Sequence, residues 1–107
     1  MVSVLHGTYI EKAGEEISYD MELRYYRTEQ LLCSRYSDLK RYGIIIEKIC
    51  IYENGEQSIE RKQINDIFYR EQDICEFLDM LIRNSVTPAG AEEIIKEYIC
   101  SKLSLNR

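Results

Sequence analysis

At 107 residues, with 45% hydrophobic and 31% charged side chains, the chain has the size and balance of a single globular domain over residues 1–107 rather than of a disordered tail or a membrane span. Its net charge of −5 is spread evenly: residues 1–54 carry 7 basic and 9 acidic side chains, and residues 55–107 carry 7 and 10. Neither half is a basic arm for nucleic acid or anionic lipid, and the longest apolar run, Ile44 to Ile46, is far short of the ~20 residues that cross a bilayer.

The N-terminus, Met1-Val2-Ser3-Val4-Leu5-His6, lacks the basic start, apolar centre and small-residue cleavage site of a signal peptide, so a cytoplasmic protein with no membrane partner is expected. The segment Leu5–Glu11 reads as a strand. Lys12-Ala13-Gly14-Glu15 then supplies a turn that folds it into a hairpin with the next segment. From Ile17 to Tyr25 every odd position is apolar or aromatic and every even one polar, the alternation of a half-buried strand. Residues 28–41 fit neither period and read as a strand extension followed by a loop.

A third strand runs from Tyr42 to Tyr52. Apolar groups on both sides of it predict a central position, covered on both faces over part of its length. Asn54-Gly55 marks a hairpin turn because both residues tolerate positive φ, and the more polar segment Gln57–Ile64 returns as an edge strand. From about Glu71 the period becomes helical, with Ile74, Phe77, Leu78, Leu81 and Ile82 on one stripe and Asp79 placed to pair with Arg83. Asn84 is expected to end this helix in a left-handed conformation. Thr87 caps a second helix with Pro88 in its first turn, and that helix runs to about Lys102. The expected fold is therefore α+β: an antiparallel sheet of about four strands, made of two hairpins, followed by two C-terminal antiparallel helices.

Taken together, Tyr25-Tyr26-Arg27-Thr28-Glu29, Tyr42-Gly43-Ile44-Ile45-Ile46, Ile67, Leu78, Leu81, Asn84, Val86-Thr87-Pro88 and Ile94-Ile95-Lys96-Glu97-Tyr98-Ile99 resemble a family of small uncharacterised bacterial proteins, known chiefly from clostridia and their relatives and catalogued only as a domain of unknown function. Tyr-Gly-Ile and Asn-x-Val-Thr-Pro in that order carry the resemblance. It implies a fold and a compartment, and it brings no activity, ligand or catalytic residue.

No catalytic or metal-binding constellation is legible, so a non-enzymatic protein without cofactors is expected. Cys33, Cys50, Cys75 and Cys100 lack the close spacing of zinc or dithiol motifs and read as reduced. His6 has no sequence-local acid or nucleophile to make it a base. The acidic clusters Asp73, Glu76, Asp79 and Glu92, Glu93, Glu97 read as solvated helix faces, with Glu92 and Glu93 stabilised by the helix dipole and Glu92 paired with Lys96.

One segment stands out. Between Arg24 and Tyr42, Arg24, Arg27, Arg35, Lys40 and Arg41 are interleaved with tyrosines such as Tyr26 and Tyr36, a chemistry suited to phosphates and stacked bases of a single strand. The second helix is the other candidate surface. Ala91, Ile94, Ile95, Tyr98, Ile99 and Leu103 span a wider arc than the ~100° stripe that one core contact demands. Ile99 and Leu103 therefore either meet a partner, most simply a second copy of the chain, or pack under the first helix or near Leu31 and Leu32. The residues support best a protein-interaction or regulatory module with a protein partner. The alternatives are single-stranded nucleic-acid binding through residues 24–42, and a phage-type or mobile-element acidic inhibitor.

Overall fold

The computed structural model describes residues 2–15, 17–33 and 38–105; of these, residues 32, 33, 38 and 101–105 are described in their backbone alone. Four strands, β1 (Val2–Glu11), β2 (Tyr19–Cys33), β3 (Asp38–Tyr52) and β4 (Gln57–Phe68), precede two helices, α1 (Glu71–Arg83) and α2 (Pro88–Leu105). The strands form one antiparallel meander in the order β1-β2-β3-β4. The fold is the expected α+β arrangement of a four-stranded sheet and two C-terminal helices.

The alternation of β2 determines which face of the sheet is covered. Met21, Leu23 and Tyr25 pair across to Cys50, Lys48 and Ile46, and with Ile44 and Tyr42 they form the sheet side of the core. From the other side, Ile74, Phe77, Leu78 and Leu81 of α1 and Ala91 and Ile95 of α2 complete it. Phe68, Phe77 and Tyr98 interlock as three rings with centroids 4.8–5.8 Å apart, which is how the two helices meet over the end of β4. A fully buried leucine or phenylalanine contributes roughly 1.5–3 kcal/mol, so this layer supplies most of the drive to fold.

Two irregularities shape the sheet edges. In β1 an extra residue lies between Leu5 and Gly7, and the side chain of that residue, His6, reaches α1, with Nε2 2.7 Å from Asp79 Oδ1. In β4 the register slips opposite Gly43, where Asp66 takes a left-handed φ of 58°. A Cβ on Gly43 would collide with the Ile64 carbonyl oxygen and lie 2.7 Å from Thr28 Oγ1 and 2.9 Å from Asn65 Cα. Glycine is what lets the two backbones close there.

Several expectations are refined. Within residues 28–41 the expected strand extension carries β2 to Cys33, but residues 38–41, expected as loop, already belong to β3, paired Gln30 to Arg41 and Leu31 to Lys40, and residues 34–37 lie outside the described residues. β1 starts at Val2, and β4 continues past Ile64 to Phe68 through its bulge. At the Asn54-Gly55 turn only Gly55 has positive φ, +86°. Asn54 instead accepts a 3.0 Å bond from the Glu56 amide through its side chain. Likewise Ser85, with φ 51°, is the left-handed residue after α1, while Asn84 stays at φ −98° and its side-chain amide donates to the Met80 carbonyl. Asp79 engages His6 rather than Arg83, and Glu92 lies 3.7 Å from Lys62 rather than pairing with Lys96.

Candidate interaction surface

Both helices lie on one side of the sheet, and the other side belongs to the even positions of β2. Across all four strands the register lines up Ile10, Glu22, Ile49 and Ile59 in one row. The next row holds Thr8, Arg24, Glu47 and Arg61, and the one after it Leu5, Tyr26, Ile45 and Gln63. Ile10 and Ile59 are 57% and 62% exposed, and Leu5 and Ile51 are exposed as well. β-branched residues at such positions are ordinary for a strand. An exposed group of them on one face, uncovered by any described element, is what docking surfaces look like.

The polar groups between these aliphatics neutralise one another. Arg24 lies 3.1 Å from Glu22, and hydrogen bonds to Glu22 and Tyr26 hold its guanidinium above its ordinary pKa. The Tyr26 hydroxyl is pushed up by burial first and then by its hydrogen bond to Glu47. A shallow depression lined by Ser3, Tyr26, Ile45, Glu47 and Arg61 opens on this face, with Ile45 only 4% exposed at its floor.

Beyond this face, the β2–β3 hairpin projects past its neighbours. β1 ends its pairing where Val2 meets Glu29, and β4 ends where Phe68 meets Tyr42. Gln30 to Cys33 and Asp38 to Arg41 therefore pair with each other alone. Leu31 and Leu39 are exposed on this two-stranded arm, and arms of that kind gain stability from a third partner.

The structure disperses the basic segment. Arg24, Tyr26 and Arg41 fall on the open face, but Arg27 faces the helices. There its guanidinium lies 3.0 Å from both Glu29 and Glu71 and 3.5 Å from Cys75 Sγ, and its side chain is 18% exposed. Arg41 rests over the Tyr69 ring at 5.3 Å, a cation–π contact, and Lys40 is exposed. Arg35 and Tyr36 lie outside the described residues. On α2, Ile99 is 37% exposed and lies outside the core cluster, and the Leu103 side chain lies outside the described set. Cys50, Cys75 and Cys100 are free. Among the described residues no three His, Cys, Asp or Glu side chains gather as a metal site, and no helix is long and apolar enough to cross a membrane.

Sequence reasoning missed Ile10, Ile51 and Ile59 as a set. Parity within each strand was readable, but the register that brings Ile10, Ile49 and Ile59 into one row is a tertiary property. Arg27 was readable: it shares odd parity with Leu23 and Tyr25, which assigns it to the covered face.

A family model described as a family of unknown function, DUF6514, matches residues 7–101. No curated protein and no solved structure matches the chain.

Proposed function

We propose that this chain, which belongs to the DUF6514 family of unknown function, is a non-enzymatic protein-interaction module that docks a protein on the open face of its sheet. The observation that carries this reading is the exposure of Ile10, Ile51 and Ile59 on a face that neither helix covers. Burying such side chains against a partner gains ~25 cal/mol per Å² of apolar surface. The ion pair Glu22–Arg24 and the cross-strand neighbours Glu47 and Arg61 around them would fix orientation more than affinity. A face of this composition also suits a regulatory protein that works by occupancy. Location in the cytoplasm is part of the proposal, in keeping with the reduced reading of the cysteines.

Nucleic-acid binding receives less support. Of the arginines that suggested it, Arg24 is offset by Glu22 and Arg27 by Glu29 and Glu71, and phosphate affinity needs unneutralised positive charge. An acidic inhibitor would need its negative charge concentrated, whereas both signs alternate across this face.

Affinity capture from source cells, with the wild type and an Ile51→Lys/Ile59→Lys variant as baits, tests the reading. A protein retained by the wild type, resistant to nuclease and lost with the variant, supports it. Retention that disappears on nuclease treatment contradicts it.

A further inference from the structure

We propose that β1 pairs edge to edge with β1 of a second copy of this chain, joining two four-stranded sheets into one antiparallel eight-stranded sheet. The inference concerns the rim of the sheet rather than its open face, so either proposal can fail alone.

Sheet edges are ordinarily guarded by charge, proline, bulges or covering elements. β4, one edge, is guarded: it carries Glu60, Arg61 and Lys62 in succession and bends at Asp66. β1, the other edge, reads Val-Ser-Val-Leu-His-Gly-Thr-Tyr-Ile-Glu. It has no proline, lysine or arginine, and Val2, Val4, Leu5 and Ile10 are exposed. Its histidine and its glutamate do not guard it, since Glu11 stands at the end and His6 is turned in to Asp79.

β1 does carry one such device, its bulge at His6, and that bulge fixes the register a symmetric pair can take. In an antiparallel pair, residues directly opposite point to the same face. A regular ten-residue strand therefore cannot pair symmetrically with itself over its full length, because each residue would meet one of opposite parity. The extra residue in β1 removes that conflict. Its pairing to β2 puts Ser3, Leu5, Thr8 and Ile10 on the open face, opposite Thr28, Tyr26, Arg24 and Glu22. A two-fold axis between His6 and Gly7 then sets Leu5 against Thr8, Ser3 against Ile10, Val4 against Tyr9 and Val2 against Glu11 of the second copy. Every pair lies on one face, no like charges meet, and the Val–Tyr pair is of a kind that stabilises sheets.

α1 also reaches this edge: Ile74, Phe77, Leu78 and Leu81 face the sheet, while Asp79 meets His6 and the end of the Ile82 side chain lies over Gly7. Glu76, Asp79, Ile82 and Arg83 line a groove there. Across a two-fold axis its acidic end meets the arginine of the second copy, a self-complementary pattern.

Light scattering on the full chain, combined with circular dichroism, tests the proposal. The wild type is expected at twice the 12.7 kDa chain mass. Thr8→Lys and Leu5→Lys are expected to yield folded monomers, and Ile59→Lys and Ile99→Asp to remain dimeric. A monomeric wild type at high concentration overturns the proposal, as does a dimer that survives both β1 variants. If those variants fail to fold, a Ser3→Cys/Ile10→Cys chain decides. Seven residues of strand separate the two positions by roughly 23 Å, too far for a bridge within one chain. Oxidation must then join residue 3 of one chain to residue 10 of another, read by peptide mass, and absence of that link overturns the register.

Discussion

The hydroxyl of Tyr25, at the centre of β2, donates a 2.9 Å hydrogen bond to the carbonyl of Val86, in the connection between the two helices. Tyr25 has no solvent exposure and Val86 has little, so this bond fastens the helix connection to the sheet across the core. Tyr25→Phe leaves the Val86 carbonyl unpaired in the interior, and a cost of about 1–3 kcal/mol is expected in urea unfolding. An unchanged midpoint would mean that the bond contributes nothing net.

The same tyrosine makes stability depend on alkaline pH. Burial first, and the neighbouring Tyr9 second, push its hydroxyl up from 10.0 to about 12. The unfolded chain therefore releases this proton above pH 10 while the folded chain holds it to about 12. The contribution is intact below pH 10 and is lost as pH rises through that window. The stability difference between wild type and Tyr25→Phe is expected to shrink by about 1–2 kcal/mol from pH 9 to pH 12. A difference that stays constant would contradict the assignment, whatever the other tyrosines do.

Gly43 and Gly7 are expected to respond differently to the same added methyl group. At Gly43 an alanine Cβ meets the Ile64 carbonyl and Asn65 Cα, both backbone, whereas at Gly7 it meets the end of the Ile82 side chain. Gly43→Ala should cost about 3 kcal/mol or more and Gly7→Ala about 1 kcal/mol or less, because a side-chain tip can turn aside and a paired strand cannot. Thermal melts of the two variants give the order directly.

Ile99→Asp is expected to cost less than about 1 kcal/mol, as an exposed position does, since Ile99 lies outside the core that Ala91 and Ile95 enter from the same helix. Loss of the folded signal would put Ile99 under a neighbour instead.

Single-stranded oligonucleotides are expected to bind no more tightly than they do to an Arg24→Glu/Arg27→Glu variant, and without steep salt dependence. Fluorescence anisotropy at moderate salt reads this. Submicromolar binding abolished by that variant would reverse the ranking of the two readings.

Much of the architecture is legible from local pattern. The strict alternation from Ile17 to Tyr25 gives β2 and its buried face, and the stripe through Ile74, Phe77, Leu78 and Leu81 gives α1. Pattern fails where pairing rather than alternation makes the strand. Leu31-Leu32-Cys33 has no period of two, yet it continues β2 because Asp38 to Arg41 lies alongside it. Asn84 has the usual chemistry of a left-handed terminator, but its side chain is used on the Met80 carbonyl and the chain reverses one residue later. The open face was the least legible feature, because Ile10, Ile49 and Ile59 are far apart in sequence and become neighbours only through register.

Site-specific photo-crosslinking in source cells tests the docking surface most directly, with a photoreactive residue at Ile59 on the open face and, separately, at exposed Lys96 on the helix side. The expected result is a discrete protein adduct from position 59 and none from position 96. Adducts from position 96 alone, or an adduct from position 59 that nuclease digests, would contradict a protein-docking role for this face.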